Sequence, residues 1–207
     1  MLGAVGNHAA LDQLLTLTKK KVRRNFILCG SLLRDVLISD LLPLDRPLYN
    51  FHERSDFLIW SSKNQKGKTS DADSGLMLMW FEEKLKQSFS DFVSTLESAM
   101  TDPVDKAKEL ALEIAASLLE KQPECESRLL SILVNKLGDP KAKVAQKATH
   151  LMLVLLRKHP NMQPIIAAEV ENLLFRSNQS SSSIYNAISF LNQLVFSVER
   201  YHKILRF

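Results

Sequence analysis

Cysteine is scarce in this chain. The two present, Cys29 and Cys125, stand 96 positions apart in stretches that read as helices. A disulfide framework is therefore not what organises the protein, and the plain reading is two buried free thiols in a reducing compartment. Glycine is scarce too, six in 207 residues, and long segments lack period-two alternation. Both features point away from sheets and towards helices. No run approaches the roughly 18 consecutive apolar residues of a membrane span. The opening MLGAVGNHAALDQLL has no basic stretch ahead of an apolar one, so it does not read as a signal peptide. An intracellular protein with no membrane contact is expected.

Chemistry-bearing motifs are missing as well. There is no glycine-rich phosphate loop, no Cys-x-x-Cys, no His-Glu-x-x-His and no Gly-x-Ser-x-Gly. His8, His52, His150, His159 and His202 are scattered without metal-ligand spacing. The expectation is a non-enzyme, with no catalytic residue, no metal and no cofactor.

What is present is amphipathic helix. The chain is 45% apolar and 24% charged, which suits a folded protein. Its most informative stretch is NKLGDPKAKVAQKATHLMLVLLRKHPNM at 135–162. One helix runs into Leu137, Gly138-Asp139-Pro140 makes a corner, and a second helix covers about Lys141–Lys158. Asp139 is placed to cap that helix and Pro140 to occupy its first position. Val144, Ala148, Leu151, Met152 and Leu155 form its apolar face, and His159-Pro160 ends it. Helix, Asp-Pro corner, helix is the layout of a HEAT-like repeat.

The same logic extends along the chain. Helices are expected at His8–Lys19, at Arg23–Leu42, at Gly75–Met100, from Thr101-Asp102-Pro103 to Lys121, at Glu124–Leu137, at Pro164–Phe175 and from about Ile184. The last should bury Ile184, Ala187, Ile188, Leu191, Leu194, Val195 and Val198, with Ser182 or Ser183 as its cap. Met77, Phe81, Leu85, Phe89, Phe92, Leu96 and Met100 form a stripe that reads as core. Residues 61–74 carry no apolar period and read as disordered, while Tyr49, Phe51, Phe57 and Trp60 could strap the preceding segment to its neighbours. The organisation is thus a helical pair at 1–42, a linker and flexible loop at 43–74, and HEAT-like repeats at 75–207. The fold class is all-α, an irregular HEAT/armadillo-like α-solenoid of about eight helices with one long disordered loop.

Cations gather in two places. Lys19, Lys20, Lys21, Arg23 and Arg24 place five charges in six residues. Lys136, Lys141, Lys143 and Lys147, with Arg157 and Lys158 further on, line the helix after the corner. Charge runs usually mean a solvated face. The functional reading, compatible with a net charge of +4, is sequence-independent contact with RNA phosphates. Asn, Gln and Arg do not converge in a base-reading pattern. Asp and Glu look spread over outer faces.

Several uncommon strings also occur in an order that resembles one family. They are LDQLLTLTKKKVRR at 11–24, DLLPLDRPLYNF at 40–51, WFEEKLKQSFSDFVSTLE at 80–97, VNKLGDPKAKVAQKATHL at 134–151, HPNM at 159–162, EVENLLFRSN at 169–178 and FLNQL at 190–194. These resemble the nucleolar complex protein 1 family, also called CCAAT/enhancer-binding protein zeta, with its CCAAT-binding-factor domain. The resemblance implies a helical-repeat scaffold of the nucleus and nucleolus that assembles early large-subunit pre-ribosomal particles. Implied partners are nucleolar complex protein 2, other assembly proteins and pre-ribosomal RNA; the alternative is a CCAAT-box transcription factor. Family members are several times longer, and SVERYHKILRF does not resemble their continuation, so a truncated or divergent member is expected. Phe196, Tyr201, Ile204, Leu205 and Phe207 predict weak self-association through the C-terminal end.

Overall fold

The structure, a computed structural model, describes residues 8–19, 23–43, 46–53 and 69–194. Every regular element among the described residues is helical. The chain divides into two compact units: Met1–Leu96 with Lys121–Cys125, and Glu97–Glu120 with Glu126–Phe207.

In the first unit, α1 (His8–Lys19) packs on α2 (Arg23–Val36), which continues into a π-helical turn at Leu37–Leu41. Leu11 and Leu15 on α1, and Phe26, Leu33 and Leu37 on α2 and its extension, are buried, as their helical spacing predicts. α3 is a 31-residue helix, Thr69–Ala99. It starts six residues before Gly75, so the last part of the expected flexible stretch, 69–74, is helical; 54–68, with Phe57 and Trp60, lies outside the described residues. The stripe on α3 is core from Leu85 onward through Phe89, Phe92 and Leu96. Met77 is 46% exposed, which departs from expectation.

The strap at 46–53 is held through its backbone at Leu48 and Tyr49 and through the Arg46 side chain. Leu48 is the residue it buries. The Leu48 N–H donates to Glu124 Oε2 at 2.7 Å, and its carbonyl accepts from Lys86 Nζ at 2.7 Å. Glu82 on α3 accepts from both Arg46 (2.6 Å) and the Tyr49 N–H (3.0 Å). Tyr49 stays exposed, with the Arg46 guanidinium 5.1 Å from its ring centre.

The later helices are α4 (Asp105–Lys121), α5 (Glu126–Asn135, extended by a 3-10 turn at Lys136–Gly138), α6 (Ala142–Lys158), α7 (Gln163–Leu174) and α8 (Ser181–Asn192). A repeat of 37 residues runs through them. Asp102-Pro103 recurs as Asp139-Pro140 and Pro123 as Pro160. Buried Ala107, Ala111, Ala115 and Leu118 on α4 return as Val144, Ala148, Met152 and Leu155 on α6. Buried Leu129, Leu130 and Leu133 on α5 return as Ile166, Ala167 and Val170 on α7. α5 packs on α7, and α8 on α7 and the 136–138 turn.

Both Asp-Pro corners use one device. Asp102 Oδ1 accepts the Val104 N–H at 2.7 Å, and Asp139 Oδ1 accepts the Lys141 N–H at 3.0 Å. Each carboxylate thus closes a tight turn ahead of its helix. Pro140 is consequently outside α6, whose first residue is Ala142. Two other boundaries also differ from expectation. Cys125 has φ 52°, a left-handed conformation that belongs to the corner, so α5 begins at Glu126. Ser180, rather than Ser182 or Ser183, caps α8 by accepting the Ser183 N–H at 3.1 Å. α8 is rotated relative to expectation as well: it buries Ser183, Ala187 and Phe190, leaving Ile184 and Ile188 exposed. Val195 and Val198 lie outside the described residues.

Candidate nucleic-acid interface

The lysine row on α6 is built by the corner that precedes it. Asp139 is almost fully buried and gathers Lys136 Nζ at 2.8 Å, Lys108 Nζ at 3.4 Å and the Lys141 N–H. Burial alone would raise the Asp139 pKa. The hydrogen bonds from Lys136 and the Lys141 backbone, with the charges of Lys136 and Lys108, outweigh it and hold the carboxyl below the usual aspartate value. The corner is then locked from the other side. Asn186 Nδ2 on α8 donates to the Leu137 carbonyl at 3.0 Å, and Arg176 donates to Asn135 at 2.6 Å.

Past the corner, α6 meets a row of carboxylates on α4. Lys141 pairs with Asp105 at 3.4 Å, Lys143 with Glu109 at 2.7 Å, Lys147 with Glu113, and Lys158 with Glu120 at 2.7 Å. The pairs climb both helices in the same direction, so α4 and α6 run parallel. The Glu109 hydrogen bond and charge hold the Lys143 ammonium above its ordinary pKa. The first three acids stand four residues apart and Glu120 seven further on, a one-face spacing visible in the sequence. They are the part of the site that sequence reasoning missed, having placed the acids on scattered outer faces.

Lys136, Lys141, Lys143 and Lys147 therefore share one unit and one line, each with a carboxylate partner. Lys136 is mostly covered, whereas Lys143 is 74% exposed in its side chain. An exposed pair of this kind is weakened by solvent screening, so another anion can compete for the ammonium. Lysine offers a phosphate a mobile point charge and no base-specific geometry. The N-terminal cations belong to the other unit. Lys19 pairs with Asp91 at 2.6 Å, and Arg24 is exposed at the start of α2. Lys20 and Lys21 lie outside the described residues, as does the side chain of Arg23. Among the described residues, no group of three or more His, Cys, Asp or Glu is placed to hold a metal ion, and no helix is long and apolar enough to cross a membrane.

No protein-family model matches the chain. Individual relatives do. CCAAT/enhancer-binding protein zeta of Homo sapiens is 41% identical over 190 residues, 91% of this chain and 18% of that protein. The similarity runs along nine-tenths of the chain. Nucleolar complex protein 1 of Drosophila melanogaster is 34% identical over 92% of the chain, and Ribosome biogenesis protein NOC1 of Chaetomium thermophilum is likewise 34% identical over 92%. The chain spans less than a fifth of the length of each of these three relatives. The similarity is therefore to one segment of these longer proteins.

Proposed function

We propose that this chain is a non-catalytic helical scaffold in ribosome biogenesis, acting on early large-subunit pre-ribosomal particles in the nucleolus. The observation that carries the reading is the match, over nine-tenths of the chain, to relatives named for ribosome biogenesis and the nucleolar complex. Its supporting frame is the 37-residue repeat, which we read as two HEAT-like helix pairs followed by the first helix of a third. In such stacks each pair covers the flank of the one before, leaving long faces for partners. The partners proposed are pre-ribosomal RNA and assembly proteins, nucleolar complex protein 2 among them.

RNA would meet the row Lys141, Lys143 and Lys147, with Lys136 as its corner post and Lys19–Arg24 as a second basic patch. Contact would exchange a surface carboxylate for a phosphate on each lysine, giving weak, salt-sensitive and sequence-indifferent binding. A promoter-DNA reading is favoured by the name of the human relative, CCAAT/enhancer-binding protein zeta. It ranks second because a row of lysines supplies phosphate contact but no base readout.

Affinity capture of the tagged 207-residue chain from nuclear extract, with and without RNase, tests the proposal. Large-subunit assembly factors and precursor RNA are the expected catch. Recovery of chaperones alone refutes a scaffold role for this segment.

A further inference from the structure

We infer that the RNA met by the lysine row is single-stranded, and that Phe175 is the platform on which one of its unstacked bases packs. The inference rests on the RNA contact proposed above and names the strand type that this face takes. Phe175 is the most exposed large apolar side chain among the described residues, at 87%. It stands one residue past the end of α7 and has no place in that helix's buried face, which is Gln163, Ile166, Ala167, Val170 and Leu173. Among the described residues its ring makes no aromatic or cation–π contact. Its neighbours in the chain are polar and exposed: Glu171, Asn172, Arg176, Ser177 and Asn178. A ring needed for packing would be covered, and one at the centre of a protein-docking patch would have apolar company. A lone aromatic face among polar groups suits a nucleobase, which offers a π-face to any ring and keeps its edges in water.

The ring is held on a fixed corner. The Phe175 N–H donates to the Glu171 carbonyl at 3.1 Å and the Arg176 N–H to the Leu173 carbonyl at 3.3 Å. Asn178 turns the chain with φ 66°, a left-handed conformation that asparagine tolerates. The corner stands at the start of α8, the far end of that 12-residue helix from Leu194. Arg176 sets its position beside the lysine row, because Nη1 donates to Oδ1 of Asn135, the residue before Lys136, at 2.6 Å. Phe175 is therefore at the end of the row that carries Lys136, Lys141 and Lys143. Arg176 adds a cation there. Its side chain is 45% exposed and Glu169 lies 3.8 Å away, so a phosphate can take that carboxylate's place as at the lysines. In a duplex the bases are paired and stacked on one another and present only phosphates and groove edges. A ring standing beside phosphate-binding cations is of use only to an open strand.

The test is fluorescence anisotropy of the 207-residue chain with fluorescein-labelled oligouridylate of about 12 nucleotides, alone and annealed to oligoadenylate. The single strand is expected to bind several-fold more tightly than the duplex. Phe175→Ala should weaken the single strand about tenfold while leaving duplex binding and the salt slope unchanged, since it removes a ring and no charge. Phe175→Trp should keep the single-strand affinity, and Phe175→Leu, apolar but without a π-face, should lose it as alanine does. Phe175 is exposed and past the helix end, so these variants keep the fold, which circular dichroism verifies. Equal affinity for the two strand types, or full affinity in Phe175→Leu, overturns the inference. A silent Phe175→Ala beside Lys143→Ala with Lys147→Ala that does weaken binding overturns it too, and leaves the RNA contact standing. Wild type that binds neither strand type removes the RNA contact and this inference with it.

Discussion

At Asp139 one nearly buried carboxylate faces two ammonium groups and a backbone N–H. Replacing it with asparagine keeps the acceptor for Lys141 but leaves Lys108 and Lys136 without a counter-charge in a poorly hydrated site. A loss of about 3 kcal/mol is expected, the range for breaking a buried pair. The pH dependence follows from the depressed pKa. A carboxyl more acidic in the folded than in the unfolded state stabilises fully above the unfolded value, near 3.9. That contribution is lost as pH falls through the lower folded value. The stability gap between wild type and Asp139→Asn in urea melts should therefore be full at about pH 7 and shrink towards about pH 2–3. A gap that stays constant would assign the loss to packing. Next door, a methyl group on Gly138 would sit 2.6 Å from Ser183 Oγ. Gly138→Ala should cost about 1–3 kcal/mol by overpacking, and Ser183→Gly in the same chain should restore most of it. Gln122 presents the opposite case. Its amide is 2% exposed, and neither of its polar atoms finds a partner among the described residues. Gln122→Met should hold or raise the urea midpoint, because it removes two unsatisfied groups at similar volume.

Among elements, the helices were legible because six or seven apolar residues at helical spacing, bounded by proline, leave little alternative. α6 ends at Lys158 as His159-Pro160 requires, and α5 with its 3-10 turn buries Leu129, Leu130, Leu133, Val134 and Leu137 at helical spacing. α8 was misread for a definable reason. Ile184 and Ile188 are more hydrophobic than Ser183 and Ala187, but the close approach of Gly138 admits only a small side chain. A tertiary contact from 45 residues away thus chose the face. The lysine row was legible as a charge run, whereas its neutralisation was not, because the pairs join residues 34 to 38 apart. That pairing bears on the proposed RNA contact. If phosphates must displace Glu109 and Glu113, Glu109→Gln with Glu113→Gln should tighten binding of fluorescein-labelled oligouridylate several-fold and steepen its salt dependence. Each additional phosphate contact adds about 0.7 to the slope. Lys143→Ala with Lys147→Ala should move both quantities the other way. Lysine variants without effect would remove this face from RNA binding. Effective lysine variants beside silent glutamate variants would remove only the competition.

On the scale of the whole molecule, charge and apolar surface pull in opposite directions as salt changes. The net charge is +4, small for 207 residues, and much of the local charge is already paired. Repulsion between copies is therefore weak and vanishes as the screening length falls from about 10 Å at 0.1 M salt to about 3 Å at 1 M. Apolar side chains remain uncovered meanwhile. Tyr185 is 72% exposed, and Ile184 and Ile188 lie beside it on the same face of α8. Burying such a face contributes roughly 25 cal/mol per Å² whatever the salt. The isolated chain should then associate weakly with itself, more so at 0.5 M salt than at about 0.1 M, while its RNA binding falls over the same range. Light scattering and RNA anisotropy on one sample follow both quantities. Tyr185→Lys with Ile188→Lys should abolish the association and leave RNA binding intact or slightly tighter. Association that weakens with salt, or persists in the double variant, would move the contact away from α8 and make it electrostatic.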